Sequence, residues 1–274
     1  SEMCIRDRFK TRLLSGILLV LIALVTIISG GDILFATVLL ISLIGMSELY
    51  KVLKVHNTLL GVVGYVACIV YYGMIRMGRA DMVTLLTIAF LVAIMAVYVF
   101  SYPKYRSEQI MITFFGLFYV AVMLSYVYQT RELTQGAYLV WLIILCSWGC
   151  DTCAYCVGML IGKHKMAPKL SPKKSIEGGI GGILGAALLG VIYALAINQF
   201  ASGADANALE YAVICGVGGM ISQVGDLAAS AIKRNHDIKD YGKLIPGHGG
   251  ILDRFDSVIF TAPIIYYMAV ALMR

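Results

Sequence analysis

Residues 225–257 read GDLAASAIKRNHDIKDYGKLIPGHGGILDRFDS. One apolar run closes at Asp226 and another opens after Asp256. Between them stand Lys233, Arg234, Lys239, Asp240, His248, Asp253 and Arg254. Charge packed so tightly between apolar runs marks a boundary: the flanking runs cross a bilayer and the charged segment lies at its edge. The rest of the chain agrees. Of 274 residues, 60% are hydrophobic and 14% charged, against about 25% charged in a soluble domain, and the mean hydropathy is +0.85. Apolar runs near the ~20 residues that span a bilayer fall at 13–29, 33–50, 59–76, 82–100, 109–128, 137–161, 178–199, 208–230 and 255–273. Lipid offers the backbone no hydrogen-bond partner outside its own helix. The fold class is therefore all-α, a polytopic membrane protein of about nine transmembrane helices.

Basic residues orient these spans. Only Arg76, Arg79, Arg131 and Arg274 of the 22 Lys and Arg fall on one side. The other eighteen fall on the side that holds 225–257, which places the N-terminus and that segment in the cytoplasm. The net charge of +6 then suits anionic lipid and phosphates, and nucleic acid is not expected as a partner. The opening SEMCIRD, residues 1–7, reads as translated sequencing-adapter sequence and is set apart from the fold. The first run is expected to stay as a helix rather than be cleaved as a signal peptide.

The chain changes character along its length. Residues 1–135 are N-terminal transmembrane helices with one notable acid, Glu48, read either as an interfacial carboxylate beside Lys51 or as a site residue. Residues 136–274 hold the catalytic region. The seven cysteines imply no disulfide framework. Cys150, Cys153 and Cys156 crowd one helix and are expected to pack there rather than bind zinc. Gly178/Gly182 and Gly181/Gly185 stand four apart, a spacing that lets helix backbones approach closely.

Three clusters carry chemistry. Asp151, in CSWGCDTCAYCVG, is costly near a span unless it faces a partner, a cavity or a cation. The segment GKHKMAPKLSPKKSIEGG at 162–179 joins Lys163, His164, Lys173, Lys174, Ser171 and Ser175 to a glycine-rich helix start. Lysines, hydroxyls and free helix N–H groups suit a phosphate chain, and Pro168 and Pro172 keep the segment from being one helix. In the opening stretch, a helix ending near 235 and another beginning near 254 let the loop fold back and carry Asp226 toward Asp253. Carboxylates beside a phosphate cradle point to Mg²⁺, which takes one or two carboxylates plus substrate phosphate. The chemistry expected is phosphoryl or nucleotidyl transfer to a lipid.

Ser230, Lys233, Arg234, Lys239, Asp240, Gly242, Pro246, His248, Gly249, Gly250, Asp253, Arg254 and Asp256 spell S-x-x-K-R-x4-K-D-x-G-x3-P-x-H-G-G-x-x-D-R-x-D. This resembles the phosphatidate cytidylyltransferases, or CDP-diacylglycerol synthases, at every fixed position. The segment DTCAY…GKHKMAP…SPKKSIEG is similar to theirs too, but Cys153, Met159 and Ile176 stand where that family often has Gly, Arg and Trp, so no role carries over to them. The resemblance implies that CTP and phosphatidate give CDP-diacylglycerol and pyrophosphate with Mg²⁺, with room for a second, monovalent cation. It implies a homodimer in a bacterial inner membrane, with the site on the cytoplasmic face. Asp226 and Asp253 would bind the metal, joined by Asp256 and Asp151. Lys233, Arg234, Lys239, His248 and Arg254 would hold CTP or lipid phosphate, and Lys173 and Lys174 the nucleotide phosphates. Ser171, Ser175, Ser230, Lys163 and His164 complete the substrate-binding set.

The nearest alternative is a CTP-dependent polyprenol kinase of the dolichol or phytol type, which releases CDP instead of pyrophosphate. A CDP-alcohol phosphotransferase lacks its required D-G-x2-A-R-x8-G-x3-D-x3-D pattern here. A membrane transporter would more naturally show two similar halves with broken helices.

Overall fold

The computed structural model of the chain describes residues 2–201, 206–247 and 249–272, with side chains from Leu14 onward. His248, Ser1 and Arg274 lie outside the described residues. Among the described residues nine helices and one hairpin follow in order: α1 (Glu2–Ser29), α2 (Gly31–Val52), α3 (Leu59–Arg76), α4 (Ala80–Phe100), α5 (Ser107–Arg131), α6 (Gly136–Ile161), β1 (Lys165–Ala167), β2 (Ser171–Ser175), α7 (Ile176–Phe200), α8 (Ala208–Asn235) and α9 (Leu252–Leu272). Among the described residues, α2 to α9 are each long and apolar enough to cross a membrane, and the apolar part of α1, Leu14–Ser29, is shorter. Leu184, Leu188 and Ile192 line the exposed outer side of α7. Water would penalise that surface and lipid does not. The protein is an integral, multi-pass membrane protein.

The chain forms two compact units. The first comprises Ser1–Ser125 with Lys239–Arg254, and the second Tyr126–Ile238 with Phe255–Arg274. The first unit is tied by buried tyrosines on α2 and α3. The Tyr50 hydroxyl donates to Thr113 O at 2.8 Å, the Tyr72 hydroxyl meets Ser42 Oγ at 2.7 Å, and the Tyr71 hydroxyl meets Ser125 Oγ at 3.0 Å. A phenol in an apolar interior needs such a partner, so these contacts fix where the helices meet. Tyr50 also fills the space that side chains at Gly64 and Gly116 would take.

In the second unit α7 lies against α6 and α8 along its glycines. A Cβ at Gly185 would stand 2.6 Å from Cys153 Sγ, one at Gly182 3.0 Å from Cys150 O, and one at Gly190 2.6 Å from Tyr211 O. The four-residue spacing thus serves close packing, and Cys150 and Cys153 are among the side chains it receives. Gly190→Ala is expected to destabilise the protein by about 1–3 kcal/mol, because backbone cannot swing aside as a side-chain tip can. Thermal unfolding in detergent should show this as a lowered midpoint with the helix content of the folded form unchanged.

The segment after α6 departs from an irregular loop. Lys165 pairs with Ser175 and Ala167 with Ser171 in an antiparallel hairpin. Pro172 is tolerated because a two-stranded ribbon has only edges. The hairpin leads straight into α7, whose first turn is capped by Ser175: its Oγ accepts from Gly178 N at 3.1 Å.

Candidate active site

Two cavities, one in each unit, take in Asp151, Lys173, Lys174, Ser175, Asp226, Lys239 and Arg254 of the expected residues. In the second unit, α6 supplies Asp151, β2 supplies Lys173, Lys174 and Ser175, the start of α7 supplies Gly178 and Gly179, and α8 supplies Gln223 and Asp226. Together with Tyr155, Met159 and Met166 they enclose about 320 Å³. A π-helical turn at Leu145–Gly149 ends two residues before Asp151. Such turns widen a helix and re-aim the residues that follow.

The central contact of this cavity is an ion pair between Lys174 Nζ and Asp226 Oδ2. Both side chains are about a quarter exposed, at 26% and 27%. The ammonium has three donors, yet Nζ itself is buried and, among the described residues, makes no hydrogen bond in addition to the ion pair. Its remaining donors suit an anionic oxygen entering the cavity. Asp256, on α9, is buried with Oδ1 accepting from Ser257 N at 2.8 Å. Its carboxylate also feels the charges of Asp226, Lys233 and Asp151. Three acids and two lysines therefore share one electrostatic neighbourhood in this unit.

Lys163, through its backbone, and His164 both meet Glu177. The Glu177 carboxylate accepts from Lys163 N at 3.1 Å and His164 N at 3.2 Å, and meets His164 Nδ1 at 2.6 Å. Glu177 sits in the first turn of α7, so it staples the segment before the hairpin to that helix. Ser171 is half-buried at its ladder position on β2. Ser230 is half-buried and Arg234 exposed on the last turns of α8. Ser171, Ser230, Lys233 and Arg234 do not line this cavity.

In the first unit the loop from Lys239 to Arg254 forms the second cavity, about 610 Å³, lined by Lys239, Asp240, Gly242, Lys243, Ile245, Pro246, Gly247, Gly249 and Arg254. Among the described residues its lining carries three cations and one carboxylate, a balance that favours anions. Asp253 is buried behind the lining. Its Oδ2 accepts from Tyr241 N at 2.8 Å and Gly250 N at 2.9 Å, tying the loop to the first turn of α9. Gly249 adopts φ +88° beside that oxygen, a conformation that glycine takes without penalty. With these two bonds accounted for, a metal-binding role for Asp253 rests on the resemblance alone.

Asp226 belongs to the second unit and Asp253 to the first. Among the described residues no three of His, Cys, Asp and Glu gather as a ready-made metal cage. Mg²⁺ does not need one, since it uses one or two carboxylates and fills its remaining positions with water and phosphate. Asp226 and Asp151, bordering one cavity with an ammonium already against Asp226, fit that requirement.

Two side chains, Gln223 and Lys243, escaped the sequence reading. Gln223 is buried in the second-unit cavity wall, its Nε2 donating to Gly179 O at 2.8 Å and reaching Cys150 Sγ at 3.6 Å. Its signal was an amide three residues before Asp226, on the same helix face, in an otherwise apolar run. Lys243 lines the loop cavity beside the expected cations. Glu48, read either as an interfacial carboxylate beside Lys51 or as a site residue, is 3% exposed and accepts from Ile251 N at 3.1 Å and Leu252 N at 2.8 Å.

Comparison with known proteins shows the family of the chain. The cytidylyltransferase family profile matches residues 10–272. A phosphatidate cytidylyltransferase of Staphylococcus epidermidis is 32% identical over 93% of this chain and 97% of its own length. Those of Bacillus subtilis and Staphylococcus aureus are 30% and 31% identical, over 94% and 93% of this chain and 97% of their own lengths. The chain belongs to the cytidylyltransferase family.

Proposed function

We propose that the protein transfers the cytidylyl group of CTP to phosphatidate, forming CDP-diacylglycerol and releasing pyrophosphate. The observation that carries this reading is the Lys174–Asp226 pair in a cavity that also holds Asp151, Lys173 and the start of α7. A phosphate oxygen of phosphatidate attacks the α-phosphorus of CTP. A bond forms there as the bond from that phosphorus to the oxygen bridging the β-phosphate breaks, and pyrophosphate leaves with the electron pair. The attacking oxygen is already anionic at neutral pH, so no strong base is required. That agrees with a site rich in cations and without an activated nucleophile.

The protein's part is to hold two anions together and in line. Lys174 exchanges part of its contact with Asp226 for a phosphate oxygen, and Lys173 adds a second charge from the same strand. Backbone N–H groups at the start of α7 favour an anion at that end of the helix. Asp226 and Asp151 would hold Mg²⁺, which when bound neutralises charge on the phosphates. The three cations of the loop cavity supply further phosphate-holding capacity. The excess of Lys and Arg on the side of these segments supports a site on the cytoplasmic face, where CTP is available.

Two measurements address this reading. Membranes carrying the chain, given CTP labelled in the cytidine, should move label into lipid with phosphatidate as acceptor and release pyrophosphate. Release of CDP with a phosphorylated polyprenol would replace the reading with the kinase. Lys173→Ala should raise the apparent KM for CTP by about tenfold with little change in kcat, as loss of a ground-state phosphate contact does. An unchanged KM would remove Lys173 from the nucleotide site.

A further inference from the structure

Glu48 lies on α2, far in sequence from the loop cavity, and nothing in the proposed chemistry uses it. Yet its carboxylate is buried against that cavity's backbone. One oxygen accepts from Ile251 N and the other from Leu252 N, at 3.1 and 2.8 Å. These donors stand where α9 begins and have no partner within the helix itself. A carboxylate at that end also complements the positive pole of the helix.

The loop is shaped around this carboxylate. A Cβ at Gly242 would collide with Glu48 Oε1, and one at Gly250 with both of its oxygens. Gly242 lines the cavity, while Gly250 donates to Asp253 Oδ2 at 2.9 Å. The two glycines thus leave a slot of carboxylate size, and Glu48 fills it. The backbone between Lys239 and Arg254 is then clamped twice, by Asp253 from within and by Glu48 from α2.

We infer that Glu48 is a positioning residue for the loop 239–254: it fixes the backbone that presents Lys239, Lys243 and Arg254 to a phosphate-bearing ligand, without touching that ligand. The inference rests on the phosphate-holding role given to the cavity under the proposed function. Glutamine has the same shape but only one acceptor oxygen, so its NH₂ group opposes one of the two N–H donors.

In purified Glu48→Gln, amide exchange at Ile251 or Leu252 should quicken. The dissociation constant for inorganic pyrophosphate and the apparent KM for CTP should rise about 10- to 100-fold, as for residues that orient a first contact shell, while kcat stays nearly constant. A lowered unfolding midpoint with pyrophosphate binding and KM unchanged would overturn the inference and leave Glu48 a packing residue.

Gly250→Ala tests the same slot if Glu48→Gln does not fold. It should raise the pyrophosphate dissociation constant alone, but cost almost nothing further in a Glu48→Ala background, because the colliding carboxylate is gone. Additive effects would overturn the inference. If the wild-type chain binds pyrophosphate but does not turn over CTP, the proposed function fails while the exchange and binding measurements still decide on Glu48. If the wild-type chain does not bind pyrophosphate, the inference fails with the cavity's assigned role.

Discussion

Asp226→Asn is expected to lower turnover by more than about a hundredfold while the protein still inserts and folds. The size of the effect follows from two losses at one atom. The change removes the negative charge that would face a bound cation, and it strips the buried Lys174 ammonium of its ion-pair partner. Removing one member of such a pair costs more than the pair itself contributes, because the remaining charge stays desolvated. Insertion should survive, since a neutral amide is easier to place beside an apolar run than a carboxylate. Purified Asp226→Asn assayed over a range of Mg²⁺ concentrations checks this, and wild-type turnover at limiting Mg²⁺ would rule out the metal assignment. A cycle with Lys174→Met separates the two losses. If the pair is a purely structural contact, the double variant should resemble either single one.

The second large effect is expected at Asp253, where two substitutions divide two roles. Asp253→Ala leaves the N–H groups of Tyr241 and Gly250 without their acceptor, at a cost of about 1–3 kcal/mol for each buried donor left unpaired. The loop should loosen, and trypsin should cleave after Lys239 or Lys243 far faster than in the wild type. Asp253→Asn presents an oxygen at the same place, so the loop should remain resistant to trypsin. Turnover should nevertheless fall by more than about a hundredfold in both variants if the charge itself takes part in the chemistry. Near-normal turnover in Asp253→Asn would confine Asp253 to holding the loop.

Much of this was legible along the chain because lipid imposes a one-dimensional rule. Spans expected at 59–76 and 178–199 appear as Leu59–Arg76 and Ile176–Phe200, since a run that is apolar on all sides can satisfy its backbone only as a helix. The end of α8 was legible as well: a helix ending near 235 was expected and it reaches Asn235, because Lys233 and Arg234 suit a helix C-terminus although they end the apolar run. The hairpin was hidden because its prolines exclude a helix without specifying a ladder. Asp151, Lys173, Lys174 and Asp226 were nameable from the cost of charge near a span, but their meeting in one cavity was not.

For residues 225–257, sequence alone determined that a charged, glycine-rich segment lies between two membrane helices, and which residue types it offers to phosphate. That followed from local chemistry, in which each side chain's hydration cost is its own. Which carboxylate faces a cation and which holds backbone was decided by tertiary structure. Asp226 meets an ammonium 52 residues earlier in the chain, at Lys174, and Glu48 reaches the start of α9 from more than 200 residues away. Such pairings depend on how helices pack, and close packing is a property of surfaces brought together rather than of any one stretch.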